Sequence, residues 1–225
     1  MLRAAISAAL ACSLALAGCA SREEPVLPDS PVEESSDAPY EMPATVEAVE
    51  AWQAEREWEA KPRAMPLWYQ ADGPWATKPY AYGNVASSGC GLVSAAMAVS
   101  WLAKDEVDPD ELLAQVGDSC TVGGLNDMAA FGGHVSGAYG IETSDRYHDP
   151  WRAVSDAKGG AAVICSVSGR LGDTWYGGHI VVAYWDGGLR VADPASQGNS
   201  NRVWDEGEFA GSPWAYFYTW TKESL

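Results

Sequence analysis

The fold is decided by one stretch of the sequence, Gly89-Cys90-Gly91-Leu92-Val93-Ser94-Ala95-Ala96-Met97-Ala98-Val99-Ser100-Trp101-Leu102. Ser87 and Ser88 just before it are typical of a turn, and the residues after the cysteine favour a helix that no proline interrupts. The run is apolar on every side, and only Ser94 and Ser100 are polar. This pattern predicts a buried helix, because a surface helix has one polar face.

Cys90 lies where a loop enters the N-terminus of that predicted helix. The first backbone N–H groups of a helix have no partners within it, and the helix dipole favours an anion there. Such a position favours a reactive thiolate, and the flanking residues Gly89 and Gly91 would let a substrate backbone approach closely. The alternative is that Cys90 is only a small buried apolar side chain, and this stretch alone leaves both interpretations open.

The composition restricts the classes of function. A chain of 225 residues can form one domain with a sizeable core. Its net charge of -17 disfavours nucleic acid as a partner and anionic membrane surfaces as a docking site. The sequence contains no Cys-x-x-Cys and no His-Glu-x-x-His, so we expect neither a metal site nor a cofactor.

Residues 1–18 have the pattern of a signal peptide. Met1-Leu2-Arg3 is a short positive start, and the apolar run that follows is too short to span a membrane. The sequence Leu16-Ala17-Gly18-Cys19 resembles the lipobox of bacterial lipoproteins, which implies cleavage before Cys19 and acylation of that residue. The protein would then be held at the cell membrane by lipid, on the outside of the cytoplasm. The alternative is an ordinary signal peptide and a released protein.

Two segments separate this leader from the domain. Residues 19–44 are rich in Pro, Glu, Ser and Asp and cannot bury enough apolar surface to fold, so we predict an acidic disordered tether. Residues 45–61 predict a helical extension with Thr45 as its N-cap. The folded domain is then expected over residues 62–225.

Helical patterns fill the first half of this domain and strand patterns the second. Further helices are predicted over residues 108–116, 126–139 and 150–157. Strands are predicted over residues 161–167, 177–185, 189–193 and 214–220. This order predicts an α+β fold in which the buried helix that carries Cys90 packs on an antiparallel sheet.

A thiolate nucleophile needs a base, and the base needs a group that orients it. Of the three histidines, His148 lies in a polar loop and His134 in a helical pattern, where a surface role is expected. His179 follows two glycines and opens a buried strand, which places it at the rim of the sheet. It is therefore the candidate base, the alternative being a structural histidine with satisfied hydrogen bonds.

Asp193 is the candidate for the orienting group, and strand parity gives a test. It follows His179 by 14 residues, so the two side chains share a face of the sheet only if the hairpin loop has an odd number of residues. A three-residue loop, Asp186-Gly187-Gly188, with Gly188 in the left-handed conformation, satisfies this condition. A two-residue loop would separate them, and Asp193 could also be only a turn residue before Pro194.

The order Gln70, Cys90, His179, Asp193 resembles that of papain-like cysteine peptidases. The closer resemblance is to the peptidase C-thirty-nine-like family, which is related to the double-glycine leader peptidases. It spans about residues 66–225 and rests on short motifs, which are Trp68-Tyr69-Gln70, Trp75, Tyr82-Gly83, Ser88-Gly89-Cys90-Gly91, Gly177-Gly178-His179-Ile180-Val181-Val182 and Val191-Ala192-Asp193-Pro194. The chain departs from the family at Leu92-Val93, where members commonly have Pro-Thr.

The resemblance implies a papain-like fold and a Cys-His-Asp triad. Cys90 would be the nucleophile, His179 the general base and then acid, and Asp193 the orienting group. Gln70 would donate an N–H to the oxyanion beside the backbone N–H of Cys90. The expected activity is hydrolysis of peptide bonds in a peptide or protein substrate, with an amidase or acyl-transferase on wall peptides as one alternative and a catalytically silent binding domain as another.

Four residues are candidates for substrate contact: Trp175 and Tyr176 just before the histidine motif, and the glycines Gly89 and Gly178. Two cysteines, Cys120 and Cys165, remain in the domain besides Cys90. In an exported protein they could form a disulfide or remain as two inert thiols, and their spacing does not decide between these.

Overall fold

The computed structural model describes residues 45–46 and 64–222. The predicted signal peptide, the acidic tether and the lipidation site at Cys19 therefore lie outside the described residues. Of the predicted helical extension over residues 45–61, only Thr45 and Val46 are described, and both are exposed.

The described chain alternates short hairpins and helices before it enters one large sheet. The helices are α1 (Val85–Ser88), α2 (Cys90–Ala103), α3 (Pro109–Val116), α4 (Met128–Tyr139), α5 (Pro150–Lys158), α6 (Gln197–Ser200) and α7 (Glu206–Ala210). The strands are β1 (Pro79–Tyr80), β2 (Gly83–Asn84), β3 (Thr121–Val122), β4 (Leu125–Asn126), β5 (Glu142–Thr143), β6 (Ala162–Leu171), β7 (Thr174–Trp185), β8 (Leu189–Ala192) and β9 (Trp214–Thr221).

Helix α2 is buried, as the sequence predicts. All residues from Gly91 to Ser100 are buried, and the two serines in that run satisfy their hydroxyl groups internally. Ser94 Oγ donates to the carbonyl oxygen of Ile180 at 3.0 Å. Ser100 Oγ donates to the carbonyl oxygen of Val107 and accepts from its N–H. A buried hydroxyl without such partners would cost free energy, so both serines are compatible with the core.

The sheet has the order β5-β9-β6-β7-β8, and every neighbouring pair is antiparallel. Helices α2, α3 and α4 pack in one apolar core on one face, together with residues such as Ile164 and Val182 of the sheet. A second core on the other face joins α5 and α7 to residues such as Val163 and Val181. The α+β class is confirmed, but the sequence predicted helices in front of the sheet only, and the layer behind it was missed.

The first residues of α3 and α4 are set by the N-cap residues before them. Asp108 accepts a hydrogen bond from the Glu111 N–H at 2.8 Å, and α3 begins with Pro109 as predicted. Helix α4 begins two residues later than predicted. Its N-cap is Asp127, which accepts from the N–H groups of Ala129 and Ala130, and Asn126 belongs instead to the two-residue strand β4.

Candidate active site

The hairpin between β7 and β8 brings His179 and Asp193 together. Trp185 pairs with Leu189 and Val182 with Ala192, so the loop has three residues, as strand parity requires. His179 Nε2 lies 2.8 Å from Asp193 Oδ1. One detail of the prediction is wrong, because Gly187 and not Gly188 has the positive φ, at 61°.

Gly188 is needed for a different reason. A Cβ at this position would lie 2.7 Å from a side-chain carbon of Val203. A side chain would therefore clash with the chain that runs past the hairpin, even though the backbone conformation of Gly188 is open to other residues.

Asp193 is completely buried and its carboxylate accepts four hydrogen bonds. Oδ1 accepts from His179 Nε2 and the Ala195 N–H, and Oδ2 from Tyr176 Oη and Asn199 Nδ2. Burial alone would raise the pKa of Asp193, but the hydrogen bonds and the charge of His179 outweigh it and hold this pKa below its usual range. The carboxylate therefore stays ionised and fixes the imidazole ring.

Tyr176 supports the histidine from one side. Its ring stacks on the imidazole of His179 with centroids 4.1 Å apart and an interplanar angle of 12°. Residues three apart on a regular strand would face opposite ways. Here Gly177 and Gly178 together oppose one residue of β6, Ser168, and this β-bulge turns both rings to the same face.

The phenol of Tyr176 is a permanent donor to Asp193. Burial, followed by the charge of Asp193, raises the pKa of Tyr176 well above its usual range. Tyr176 thus acts on the triad itself in this structure, in a position that the sequence pattern assigned to substrate contact.

His179 links the carboxylate to the thiol. Since Nε2 is bonded to Asp193, Nδ1 is the ring nitrogen left for Cys90. Burial lowers the pKa of His179, but hydrogen bonds to Asp193 and Cys90, together with their charges, raise it from 6.5 to about 9. At neutral pH the ring is therefore an imidazolium held between two acidic groups.

Cys90 is the first residue of α2 and is half-buried. One turn further on, Ser94 Oγ of α2 donates to the carbonyl oxygen of Ile180, the residue after His179, so the helix and the strand are joined beside the pair. The thiol thus lies at a helix N-terminus and beside the imidazole that bonds to the buried carboxylate. The pair is thus arranged for nucleophilic attack and proton transfer.

Gln70 joins the two halves of the site. Its backbone N–H donates to the Pro194 carbonyl oxygen at 2.8 Å, and Nε2 donates to the Ala86 carbonyl oxygen at 2.7 Å. Pro194 follows the carboxylate of the triad, and Ala86 lies four residues before Cys90. Among the described residues its Oε1 is buried without a hydrogen-bond partner. Nε2 retains a second N–H, which is the donor that the family resemblance assigned to an oxyanion.

The remaining residues predicted to contact substrate differ in their surroundings. Gly178 is exposed, and a Cβ there would meet no atom within 4 Å. Trp175 is 71% exposed, but strand alternation directs it away from the face that carries Tyr176. Gly89 is buried, and a Cβ there would lie 2.5 Å from the Val85 carbonyl oxygen. The glycine at position 89 is thus required for packing against α1.

Two asparagines of the site were missed from the sequence. Asn199 in α6 donates to Asp193, and Asn126 in β4 donates to Cys90 Sγ with an N–S distance of 3.6 Å. Asn126 falls in a stretch whose composition predicts a helix. Asn199 lies in a four-residue helix, which is too short to leave a recognisable pattern in the sequence.

The other titratable candidates lie apart from the triad. Cys120 and Cys165 are free thiols in the two different cores, one on each face of the sheet. Burial raises the pKa of both. His134 contacts Gln115, and His148 contacts the carbonyl oxygen of Ala215.

Within residues 64–222, no three His, Cys, Asp or Glu side chains converge as a set of metal ligands. In the same part of the chain no helix has both the length and the apolar character needed to span a bilayer. Comparison with protein-family models, with curated proteins and with solved structures finds no match for this chain. The interpretation of the site therefore rests on its own geometry.

Proposed function

We propose that this protein is a papain-like cysteine peptidase, a thiol hydrolase that cleaves peptide bonds outside the cytoplasm. The observation that carries the proposal is the position of His179, whose Nε2 lies 2.8 Å from a buried carboxylate while its second ring nitrogen, Nδ1, is left for a hydrogen bond with Cys90. A structural histidine would need only one of these partners. The combination with a thiol at the start of a buried helix is the arrangement that nucleophilic catalysis needs.

The roles follow from the donors and acceptors. Cys90 Sγ attacks the substrate carbonyl carbon, and the carbonyl oxygen takes the negative charge. Two donors support that oxygen, the backbone N–H of Cys90 and the second N–H of Gln70 Nε2. The imidazolium of His179 gives its Nδ1 proton to the leaving amine, which leaves an acyl group on Sγ. His179 then takes a proton from a water molecule whose oxygen bonds to the acyl carbon, and the C–S bond breaks. The acid is released, and Cys90 returns as a thiolate beside the imidazolium.

The open space beside the histidine suits an extended substrate. Gly177 and Gly178 are exposed, and a Cβ added at either residue would meet no atom within 4 Å. A peptide backbone could therefore pass close to the strand on the side of His179. This favours a peptide or protein substrate for the site.

The test is alkylation of Cys90 by iodoacetamide between about pH 5 and pH 10, located by peptide mapping. We expect Cys90 to react faster than free cysteine below neutral pH, and His179→Ala to remove the advantage. Cys90→Ala controls for Cys120 and Cys165. A Cys90 that reacts no faster than a free thiol near pH 7, together with no effect of His179→Ala, would exclude the enzyme.

Profiling against peptide libraries and wall fragments separates the remaining candidates. Peptide cleavage supports the peptidase, whereas release or transfer of acyl groups from wall peptides only would point to the amidase or acyl-transferase. Peptide binding by an unreactive Cys90 would point to a silent binding domain. We further propose that Cys19 carries the lipid anchor. Incorporation of a labelled fatty acid that persists in Cys19→Ala would contradict this.

A further inference from the structure

Asn126 makes three hydrogen bonds that converge on the start of α2. Its Nδ2 donates to the carbonyl oxygen of Ser88 at 2.9 Å and to Cys90 Sγ, with an N–S distance of 3.6 Å. Its Oδ1 accepts from Tyr80 Oη at 2.8 Å. The amide thus lies between a buried phenol on one side and the proposed nucleophile on the other.

These partners allow only one orientation of the amide. The Ser88 carbonyl oxygen can only accept a hydrogen bond, so it must face the N–H₂ group of Asn126. Tyr80 is 1% exposed, and burial, followed by nearby negative charges, raises the pKa of Tyr80. Its phenol therefore remains a donor, and Asn126 Oδ1 must face it. A flipped amide would place an oxygen against Ser88 and against the sulfur.

Gly91 makes this approach possible. A Cβ at residue 91 would lie 2.5 Å from both Cβ and Cγ of Asn126. Any side chain there would displace the amide from the helix start. The glycine that follows the cysteine is thus explained by Asn126, and not by room for a substrate.

We propose that Asn126 is a further catalytic residue of this site, whose side-chain N–H stabilises the thiolate of Cys90, and that Tyr80 is a positioning residue that holds the amide in place. The proposal rests on the proposed thiol hydrolase. An N–H that donates to an anionic sulfur is a charge-assisted hydrogen bond and is stronger than one to a neutral thiol. It therefore favours the thiolate before attack and again when the sulfur leaves the acyl group.

The experiment measures the rate of alkylation of Cys90 by iodoacetamide as a function of pH in Asn126→Ala and Tyr80→Phe. Loss of one hydrogen bond to a charged group is expected to slow the reaction about tenfold near pH 6 and to move the midpoint of the profile upward by about one pH unit. Tyr80→Phe should give a smaller change in the same direction. Gln115→Ala, which removes an exposed amide from α3, is the matched control.

Peptide mapping restricts the signal to Cys90. The other titratable groups that face the pair are His179 from β7, and Cys120 and Asp118 near Tyr80, and all three are retained in every variant. A fold defect would lower the melting temperature without moving the midpoint, so melting temperatures are measured alongside.

The results distinguish a failure of the role of Asn126 from a failure of the proposed hydrolase. Fast alkylation in the wild-type protein with an unchanged profile in Asn126→Ala would overturn the role of Asn126 and leave the hydrolase intact. Slow alkylation in the wild-type protein would remove the hydrolase itself. An upward shift in Asn126→Ala, with Gln115→Ala unchanged, supports the proposal.

Discussion

At the scale of single residues, the site depends on an unusual charge state of one histidine. His179 is 5% exposed, and a neutral ring would be the usual result of such burial. The carboxylate of Asp193 and the thiol of Cys90 reverse this preference. The proton on His179 is therefore a source of folding stability.

The folding stability is expected to fall between pH 6.5 and about pH 9. The pKa of His179 is raised from 6.5 to about 9 in the folded protein, so its contribution is fully present below pH 6.5 and is lost as the pH rises through about 9. The loss should be on the order of 3 kcal/mol. Urea denaturation at several pH values measures it.

His179→Gln should remove most of this pH dependence, and His148→Gln, at an exposed position, should not change it. A stability that is flat across this range in the wild-type protein would contradict the assignment of the imidazolium. The lowered pKa of Asp193 does not affect the stability in this range, because its contribution to the stability is lost only as the pH falls into the acid range.

The sequence predicted which residues pair at the site, but it did not predict the residues that hold them in place. His179 and Asp193 could be paired from sequence because strand parity is a regular property of hairpins. The role of Tyr176 could not, because it depends on a β-bulge whose position the sequence does not specify. Asn126 and Asn199 reach the site from short irregular elements, where no periodicity indicates the direction of a side chain.

At the scale of elements, α2 and β7 are joined by a hydrogen bond close to Cys90 and His179. Ser94 and Ser100 are two buried serines of the same helix, and both donate hydrogen bonds to backbone carbonyl oxygens. Only the hydrogen bond of Ser94 lies next to the proposed triad, because its acceptor Ile180 follows His179 directly. The two residues therefore form a matched pair for separating alignment from stability.

We expect Ser94→Ala to destabilise the protein by about 1 to 2 kcal/mol, and Ser100→Ala, which removes two hydrogen bonds, by at least as much. Only Ser94→Ala should also slow the alkylation of Cys90, because it releases the helix turn that follows the thiol. Denaturant unfolding and the iodoacetamide rate measure the two effects. Equal alkylation rates in both variants would show that this hydrogen bond does not align the site.

Element types were predictable where the pattern was long. Helix α2 and strands β6 and β7 have uninterrupted apolar runs, and each was located to within a few residues. The paired strands β1 and β2, and β3 and β4, have two residues each, which is too short for any period to show. Asn126 was assigned to a helix for this reason.

At the scale of the whole molecule, the sheet separates two apolar cores. The Cys90 side contains α2, α3 and α4, and the other side contains α5 and α7. The sequence predicted the first layer because the helix that carries Cys90 is apolar on every side and must be covered. It did not predict the second, because the helix predicted over residues 150–157 carried no signal of the face on which it packs, and α7 was not predicted.

This separation predicts that Cys120 and Cys165 do not form a disulfide. They lie in different cores, on opposite faces of the sheet, and a disulfide requires Cα atoms within about 7 Å. Dithiothreitol should therefore leave the melting temperature unchanged, and peptide mapping under non-reducing conditions should find both as free thiols. A peptide pair joined through these residues would contradict the arrangement.

The order of the strands has a consequence for the order of assembly during synthesis. Strand β9, Trp214–Thr221, lies between β5 and β6 and not at an edge of the sheet. Until this segment has left the ribosome or the export channel, β6 has one unpaired edge and the strand that bears His179 lacks a complete sheet behind it. A nascent chain thus carries Cys90 for most of its synthesis without an assembled base beside it. The topology therefore makes completion of the sheet behind Cys90 and His179 wait for the segment that forms β9.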